Sequence, residues 1–256
     1  HVFARRIVTA PLFYSPEVTG LTAEQVVSLD AAASGHAIRS QRLATNDQVL
    51  ISDGLGTLAE GTLEDASPQR TTIRVQKVTV SQRPEVQVNL VQALAKGDRD
   101  LLAAEMATEV GVDRVTPWQA RRSIVRLRPE RATKTLAKWE SKLKAAAQQA
   151  RRAYVPTLGQ PLFAEEIASL HSPQDGHYVV VLHEDGNENL FDIAESLHAI
   201  NTLHLVVGPE GGVSPEELHS VLTAGGSAVK IGSNVMRAST AGPIAVALLN
   251  QLFNRW

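Results

Sequence analysis

The amino-acid sequence predicts an α/β protein in which a small β domain precedes a mostly parallel sheet covered by helices. Short apolar stretches separated by turn residues dominate residues 8–80, whereas strand-like and helix-like stretches alternate from about residue 84 onward. Strands that alternate with helices are typical of a parallel sheet with helices on both faces. A junction at residues 81–84 divides the chain into predicted domains of residues 1–82 and 83–256.

In the first domain, strands are expected at residues 48–51 and 72–75. Turn signals separate them, notably Asp-Gly-Leu-Gly at 53–56 and Ser67-Pro68. A short stretch with several brief strands suits a small β-barrel.

The second domain is expected to contain five strands, at residues 86–91, 112–117, 178–183, 203–207 and 228–231. Helices are expected at 98–110, 131–152, about 190–199 and 215–224, and the final helix is expected to begin near Thr240. Their apolar residues recur at three- and four-residue steps, whereas the strands are short and rich in Val, Leu and Ile.

The composition is that of an ordinary globular protein. The 256 residues are 43% hydrophobic and 20% charged, with 17 Gly and 12 Pro, which excludes disordered and collagen-like classes. The sequence has no cysteine, so a disulfide scaffold, a thiolate zinc site and a cysteine nucleophile are excluded. No apolar run approaches the roughly 18 residues of a membrane span, and the N-terminal residues lack a signal-peptide core. We therefore expect a soluble cytoplasmic protein without a bound metal.

The net charge of −2 conceals a basic middle segment. Residues 83–156 hold 15 basic and 8 acidic side chains, whereas residues 157–256 hold 3 basic and 11 acidic ones. The helix predicted at 131–152 carries an apolar stripe beside a basic one, and Arg151 and Arg152 are expected to end it. Such charge fits a surface that binds RNA phosphates, and it equally fits a solvated helix face neutralised by the acidic part.

A glycine-rich loop follows the strand predicted at 203–207. Residues 208–212 read Gly-Pro-Glu-Gly-Gly, and Ser214 and Glu217 then have the spacing of a helix capping box. The loop therefore joins a strand to a helix N-terminus, at the edge of a parallel sheet where ligands bind. Its glycines could let backbone groups approach a ligand closely, or could serve only the geometry of a tight turn. The pattern is neither a dinucleotide fingerprint nor a P-loop.

A second loop follows the strand predicted at 228–231 and extends to residue 242. It contains one cation, Arg237, and two hydroxyl side chains, Ser239 and Thr240. It is longer than a structural turn requires, so we expect it to bind a ligand. Ser239 or Thr240 could equally cap the last helix.

These motifs resemble the SPOUT superfamily of RNA methyltransferases, and within it the bacterial small-subunit ribosomal RNA methyltransferase E family. The strongest part of the resemblance is GPEGG-x-S-x-x-E at 208–217 together with I-G-x-x-x-x-R-x-x-T-A at 231–241. It extends upstream to Lys96-Gly97-Asp98-Arg99, Thr108 to Val112, Arg122-Ser123, Lys138-Trp139, Arg152 and Val155-Pro156, and more weakly to His36, Arg42 and Asp53-Gly54-x-Gly56.

The resemblance implies a PUA-like β-barrel followed by a methyltransferase domain whose C-terminal part forms a trefoil knot around S-adenosylmethionine. It implies methylation of N3 of a uridine in 16S ribosomal RNA of the small subunit, by a homodimer whose active sites are completed at the subunit interface. The cofactor contacts implied are Leu182, His183, Gly208, Pro209, Glu210, Gly211, Gly212, Ile231, Gly232, Val235, Met236, Arg237, Ser239, Thr240 and Ala241. The RNA contacts implied are His36, Arg42, Lys96, Arg99, Arg122, Lys138 and Arg152.

Arg237 is the candidate catalytic residue. Methylation at N3 requires loss of the imide proton, and a fixed cation would stabilise the charge that builds on the uracil oxygens. Alternatively, Arg237 could hold the loop through an ion pair or a carbonyl contact. Glu210 could act as a base or could accept backbone N–H bonds within its own turn, and the second role is the one expected. His183 could be a structural hydrogen-bonding residue. No general base is assigned.

Three positions depart from the family pattern. Asn234 and Ser239 stand where the family usually has Arg and Glu, and Met106 stands where it commonly has Lys. Two alternatives to the uridine methyltransferase therefore remain open. One is another SPOUT enzyme that modifies tRNA or ribose hydroxyls, and the other is a catalytically silent RNA-binding protein of ribosome assembly. The departures at Asn234 and Ser239 favour the silent protein, whereas the intact GPEGG loop argues against it.

Overall fold

The structure is a computed structural model that describes residues 10–197 and 200–256, apart from the side chains of residues 194–196. The chain divides into two compact units. One comprises His1–Arg83 together with Ala147–Val155, and the other comprises Pro84–Ala146 together with Pro156–Trp256. None of the described helices is both long enough and apolar enough to cross a membrane.

The first unit is built on a five-stranded mixed sheet. Its strands are β1 (Leu12–Tyr14), β2 (Val26–Ser28), β3 (Gln48–Ser52), β4 (Thr57–Asp65) and β5 (Thr72–Val80), hydrogen-bonded in the order β1-β3-β4-β5-β2, and a short helix α1 (Ala31–Gly35) follows β2. Strands β3, β4 and β5 form an antiparallel meander, and β1 pairs parallel with β3. The side chains of Phe13, Ile51, Leu63 and Ile73 are fully buried in its core.

Residues 147–155 pack with the first unit, although they were predicted to belong to the second domain, residues 83–256. The N–H of Gly56 and the hydroxyl of Ser52 both donate to the carbonyl of Ala153, at 3.0 and 2.9 Å. The Tyr154 ring lies so close to Gly56 that a Cβ there would clash with its phenol group. The segment is held by contacts far apart in sequence, which local patterns do not reveal.

The second unit contains an eight-stranded parallel sheet, as predicted for this part of the chain. Its strands are β6 (Gln87–Ala93), β7 (Arg114–Gln119), β8 (Thr157–Leu158), β9 (Leu162–Phe163), β10 (His177–Leu182), β11 (Glu188–Asn189), β12 (Thr202–Val207) and β13 (Ser227–Lys230). The order is β11-β13-β10-β12-β6-β7-β8, with β9 also paired to β7. The five predicted strands are all present, and the three additional ones have only two residues each.

The helices lie close to the predicted positions: α2 (Arg99–Glu109), α3 (Pro129–Gln149), α4 (Leu190–Ser196), α5 (Pro215–Ala224) and α6 (Ala238–Leu252). Residues 198–199, which the sequence placed at the end of α4, lie outside the described residues. Helix α3 ends at Gln149 rather than at Arg152, because Arg151 adopts a φ of 55°. Helix α6 begins at Ala238, two residues before Thr240.

Helices cover both faces of the parallel sheet. Alternate residues of β6 point to opposite cores: Val88 and Leu90 join the cluster with α2, α4 and α6, whereas Val91 and Ala93 join the cluster on the other face. After β12, the chain crosses to the far side of β10 and forms β13 there. Helix α6 then returns to pack on β6 and β12. The carboxyl ends of β10, β12 and β13 are thereby gathered beside the start of α6.

Candidate active site

A cavity of about 560 Å³ lies at the carboxyl ends of β10, β12 and β13. Its walls come from the loops after these three strands, from the first turn of α6, and from Arg99 and Arg122. Small-molecule sites generally fall between about 300 and 1,000 Å³, and open α/β sheets bind ligands at this edge. The cavity is therefore a candidate cofactor site.

Most of the residues predicted to contact a cofactor line this cavity. They are Leu182, His183, Gly208, Pro209, Glu210, Gly211, Gly212, Ile231, Gly232, Val235, Met236, Arg237 and Ala241. Ser239 and Thr240 are not among the lining residues. Ser239 is buried and Thr240 is exposed, and both lie in α6.

Lys230 also lines the cavity and was not predicted, whereas Glu184, Ser233, Asn234 and Ala238 lie in loops expected to form the pocket but were not named as contacts. Each of these residues is a sequence neighbour of a predicted contact. The length of the loops, rather than the residues of the motifs, is the feature of the sequence that could have indicated them. Val207, Val213 and Val229 add apolar wall.

The glycines of the loop at 208–212 each have a steric role within the protein. A Cβ on Gly208 would lie 2.9 Å from the Val213 side chain, and one on Gly211 would lie 3.2 Å from the Cβ of Arg122. Gly212 has a φ of +75°, which favours glycine. These glycines therefore serve the geometry of a tight turn. The loop that they form also lines the cavity.

The backbone of residues 232–236 has no protein partner. Within the described part of the chain, none of these five residues forms a hydrogen bond, and a Cβ on Gly232 would meet nothing within 4 Å. Residues 232–235 are exposed, so backbone N–H and C=O groups that line the cavity are open to a polar ligand. This is the clearest structural fit to a cofactor such as S-adenosylmethionine.

Arg237 projects from the same loop. Its side chain is exposed and forms no ion pair or hydrogen bond with any described residue, so the alternative role of holding the loop finds no partner here. Its carbonyl accepts the N–H groups of Thr240 and Ala241, at 2.9 and 3.0 Å, and begins α6. The N-cap of α6 is therefore Arg237 rather than Ser239 or Thr240.

The Glu210 carboxylate links two loops of the second unit. Its Oε1 accepts the backbone N–H of Lys96 at 3.1 Å and lies 3.7 Å from Nη1 of Arg99. The prediction that Glu210 accepts N–H bonds within its own turn is therefore wrong, because the donor belongs to the segment after β6. This contact was invisible in the sequence, since the partners are more than one hundred residues apart.

His183 behaves as a structural hydrogen-bonding residue. Its Nδ1 accepts the N–H of Asp185 at 3.2 Å, and its own N–H donates to the carbonyl of Val229 at 2.9 Å. The accepting Nδ1 leaves the ring proton of the neutral form on Nε2.

The predicted RNA contacts fall into both units. In the second unit, Arg122 donates from Nη1 to the Gly211 carbonyl at 3.1 Å, and Lys138 pairs with Asp98 at 2.9 Å. The structure thus places Lys96, Arg99 and Arg122 around the cavity mouth, with Lys138 bound to a neighbour of Arg99.

In the first unit, His36 and Arg42 are exposed. Nε2 of His36 lies 3.1 Å from Nε2 of Gln41, and Arg42 has a φ of 57°. The carbonyl of Arg152 accepts the Tyr14 hydroxyl at 2.8 Å.

A buried row of polar side chains crosses four strands of the parallel sheet and was not predicted. His177 Nδ1 lies 2.9 Å from His204 Nε2, and His204 Nδ1 lies 2.8 Å from the Asn89 amide, which also accepts from Thr116. Burial, reinforced by the nearby His177, Arg114 and His171, lowers the pKa of His204 from 6.5 to about 3. The described residues include no cluster of acidic, His or Cys side chains that could hold a metal ion.

Comparisons with known proteins identify the family of this chain. A family model described as an RNA methyltransferase domain matches residues 82–250. The ribosomal RNA small subunit methyltransferase E of Mycobacterium tuberculosis is 36% identical over 259 residues, covering 97% of this chain and 94% of its own. The Bacillus subtilis protein of the same name is 28% identical and covers 84% of this chain and 86% of its own.

Solved structures share the fold. The crystal structure of a ribosomal RNA small subunit methyltransferase E from Neisseria gonorrhoeae bound to S-adenosyl methionine has a TM-score of 0.82 and 25% identity, covering 95% of this chain and 98% of that one. A predicted RNA methyltransferase from Thermotoga maritima, 23% identical, has the same fold with a TM-score of 0.67. The fold and the matching domain model define an RNA methyltransferase domain. Within that class, the chain belongs to the ribosomal RNA small subunit methyltransferase E family.

Proposed function

We propose that this chain uses S-adenosylmethionine to methylate N3 of a uridine in the 16S ribosomal RNA of the small subunit. The observation that carries the proposal is the cavity at the carboxyl ends of β10, β12 and β13. It joins the backbone of residues 232–236 to the guanidinium of Arg237, and neither has a hydrogen-bond partner among the described residues. The relatives support the substrate class, because their names place their activity on ribosomal RNA of the small subunit.

The cavity offers S-adenosylmethionine both polar and apolar contacts. The unpaired backbone at 232–236 and the loop at 208–212 can hold its adenine and ribose, and Val207, Val213 and Leu182 offer apolar wall. Bound there, the cofactor supplies a methyl group that leaves its sulfur as the bond to uracil N3 forms.

Arg237 is proposed as the catalytic residue. Once N3 has lost its proton, negative charge spreads to the uracil oxygens, and a guanidinium without a protein partner is free to stabilise it. The N3 proton passes to solvent in this account. Glu210 is already engaged by Lys96 and Arg99, and Nδ1 of His183 already accepts a hydrogen bond, so neither is assigned as the base.

RNA is proposed to bind at the basic rim of the cavity, through Lys96, Arg99 and Arg122, and along α3 at Lys138. The first unit, proposed to be a PUA-like barrel, would add His36, Arg42 and Arg152. A backbone-directed contact of this kind predicts an affinity that falls steeply with salt.

The proposal extends to topology and assembly. We propose a trefoil knot, and the return of the chain past β10 to form β13, followed by packing of α6 on β6 and β12, supports it. The chain is also proposed to work in the cytoplasm as a homodimer that completes each active site at the subunit interface. Ile244 of α6 and Leu102 of α2 are apolar and exposed at 43% and 44%, and they belong to helices that pack together.

The test is methyl transfer from labelled S-adenosylmethionine to small ribosomal subunits, and to naked 16S ribosomal RNA, from cells lacking the endogenous activity. The expected product is 3-methyluridine. Transfer to tRNA or to a ribose hydroxyl would indicate a different RNA methyltransferase. Absence of both transfer and cofactor binding would indicate a silent RNA-binding protein.

A further inference from the structure

The loop between β7 and α3 presents two exposed apolar side chains among arginines. Ile124 is 62% exposed and Val125 is 37% exposed. The flanking residues Arg121, Arg122, Arg126 and Arg128 are all exposed as well. We call residues 121–128 the arginine loop. Exposed apolar surface rimmed by charged side chains can mark an interaction site, which makes this pair a candidate for contact with a partner.

The arginine loop borders the proposed active site. Arg122 lines the cavity and donates to the carbonyl of Gly211, whose Cα lies against the Arg122 side chain. The apolar pair follows Arg122 by two and three residues along the chain, although neither of the two side chains lines the cavity itself.

The loop is held firmly in place. Ser123 is buried and donates its hydroxyl to the Leu94 carbonyl at 3.0 Å. The Arg121 N–H donates to the buried carboxylate of Glu217 at 2.6 Å, and the Leu127 N–H donates to the Gln119 side chain at 2.6 Å. These anchors on both sides of the apolar pair mean that the pair is displayed by a rigid support.

The charges around the pair favour a nucleic acid partner. Arg121 pairs with Glu165, whereas Arg122 and Arg126 bond to carbonyl oxygens and no described carboxylate lies within ion-pair distance of Arg122, Arg126 or Arg128. An anionic chain that also offers apolar ring faces matches both features. A second copy of this loop would bring like charges together.

The proposed chemistry explains why an apolar pair is useful here. N3 lies on the edge of uracil that pairs with adenine, so a uridine that is paired in the RNA must leave its pair before it can be methylated. Proteins that hold a base out of its stack frequently insert apolar side chains into the gap. We propose that Ile124 and Val125 form a wedge that fills the space left by the target uridine while the surrounding arginines bind the flanking phosphates. This inference rests on the proposed uridine methylation.

The test compares single-turnover methyl transfer by the unsubstituted protein and by the double variant Ile124→Ala/Val125→Ala. The substrates are an RNA helix in which the methylated uridine is paired and the same helix with that uridine bulged. Because the wedge matters only when the base must be extruded, we expect the variant to be at least about tenfold slower on the paired helix and within about threefold on the bulged one. The fluorescence of a 2-aminopurine placed next to the target uridine should increase when the unsubstituted protein binds and should increase much less with the variant.

Two further variants serve as controls. Leu222→Ala removes another exposed apolar side chain, on α5, and should leave both rates unchanged. The single variant Ile124→Leu keeps the apolar volume, so its rate on the paired helix should equal that of the unsubstituted protein. Melting temperatures and S-adenosylmethionine affinities should match throughout, because the substituted side chains are exposed.

Equal losses on both helices, or no loss on either, would overturn the wedge. A change in oligomeric state of the double variant would also overturn it, in favour of an interface between protein chains. Absence of 3-methyluridine in small ribosomal subunits and in 16S ribosomal RNA treated with the unsubstituted protein would instead overturn the proposed function, and the wedge with it.

Discussion

Arg237 is the side chain on which the proposed chemistry depends most. It is exposed to the cavity and has no partner among the described residues, so its charge is available to a ligand. Replacing it with Ala should lower turnover by about 10²-fold while changing S-adenosylmethionine affinity by less than about threefold, because the lost contact is made chiefly in the transition state.

Single-turnover rates and calorimetric titrations of the same Arg237→Ala preparation measure the two quantities separately. Thr240→Ala is a matched control, since Thr240 lies in the same region but outside the cavity lining. If rate and affinity fell by the same factor, Arg237 would be a binding residue without a catalytic role.

His204 should make the stability of the protein fall in mild acid. Its pKa is lowered from 6.5 to about 3 by burial and nearby positive groups, so the unfolded chain binds its proton at a higher pH than the native protein. The contribution of neutral His204 to the free energy of unfolding is therefore fully present above pH 6.5, and it is lost progressively as the pH falls toward 3.

A His204→Gln variant cannot be protonated and should lack this part of the pH dependence. Between about pH 7 and about pH 5, the free energy of unfolding of the unsubstituted protein should fall by about 1–2 kcal/mol more than that of the variant. Urea titrations measure the difference, with the exposed His219→Gln as control. Parallel pH profiles for the His204→Gln variant and the unsubstituted protein would refute the assignment to His204.

Helix α5 is positioned by a capping box that reaches beyond the helix itself. Ser214 accepts the Glu217 N–H at 3.2 Å, and the fully buried Glu217 carboxylate accepts both the Ser214 N–H at 2.9 Å and the Arg121 N–H. Ser214→Ala should cost about 1 kcal/mol of unfolding free energy. Glu217→Ala should cost about 2–3 kcal/mol, because it leaves two N–H groups unpaired.

Glu216→Ala is the control for this pair, because Glu216 is the exposed neighbour in the same helical turn. It should change the unfolding free energy by no more than about 0.5 kcal/mol. Urea unfolding monitored by circular dichroism ranks the three variants. A Glu217→Ala variant as stable as Glu216→Ala would show that the link to the arginine loop carries no stability.

The elements that the sequence predicted well are those with a strong periodic signal. The five predicted strands of the parallel sheet lie almost where the pattern placed them, and so does α5, which has Ser214, Pro215 and Gly225 at its ends. Strand β4 was missed because its inward-facing residues are Thr57, Ala59, Gly61 and Leu63, which give little hydrophobic alternation. The end of α3 could not be predicted from the sequence either. The positive φ of Arg151 interrupts the helix there, and the following segment packs with the first unit.

The same limit applies to the site. The loop at 232–242 was predicted to bind a ligand from its length. The loop at 208–212 was left open between ligand binding and a tight turn, and the cofactor contacts in both loops were implied by the family resemblance. The partners of Glu210 and the row from His177 to Thr116 were not predicted, because they join strands and loops far apart in sequence.

The distribution of charge over the whole molecule predicts how RNA binding responds to salt. Residues 83–156 hold 15 basic and 8 acidic side chains, although the net charge of the chain is −2. Replacing Lys138 with Gln should reduce the slope of log affinity against log salt by about one, since one phosphate contact is lost.

Filter binding of 16S ribosomal RNA at several salt concentrations measures this slope. Lys77→Gln, which changes the charge equally but outside the basic segment, should leave it unchanged. An identical slope for Lys138→Gln and the unsubstituted protein would place the RNA elsewhere.

The claim that the cavity holds the methyl donor can be tested most directly by filling it. Gly232 lines the cavity, has open space where a Cβ would lie and has a φ outside the left-handed region, so a larger side chain there is expected to narrow the cavity without straining the backbone. Calorimetric titration with S-adenosylmethionine should show at least about tenfold weaker binding for Gly232→Leu and less than about threefold for Gly232→Ala. Binding by Gly232→Leu that equals that of the unsubstituted protein would contradict the account, because it would place the cofactor outside the cavity formed by these three loops.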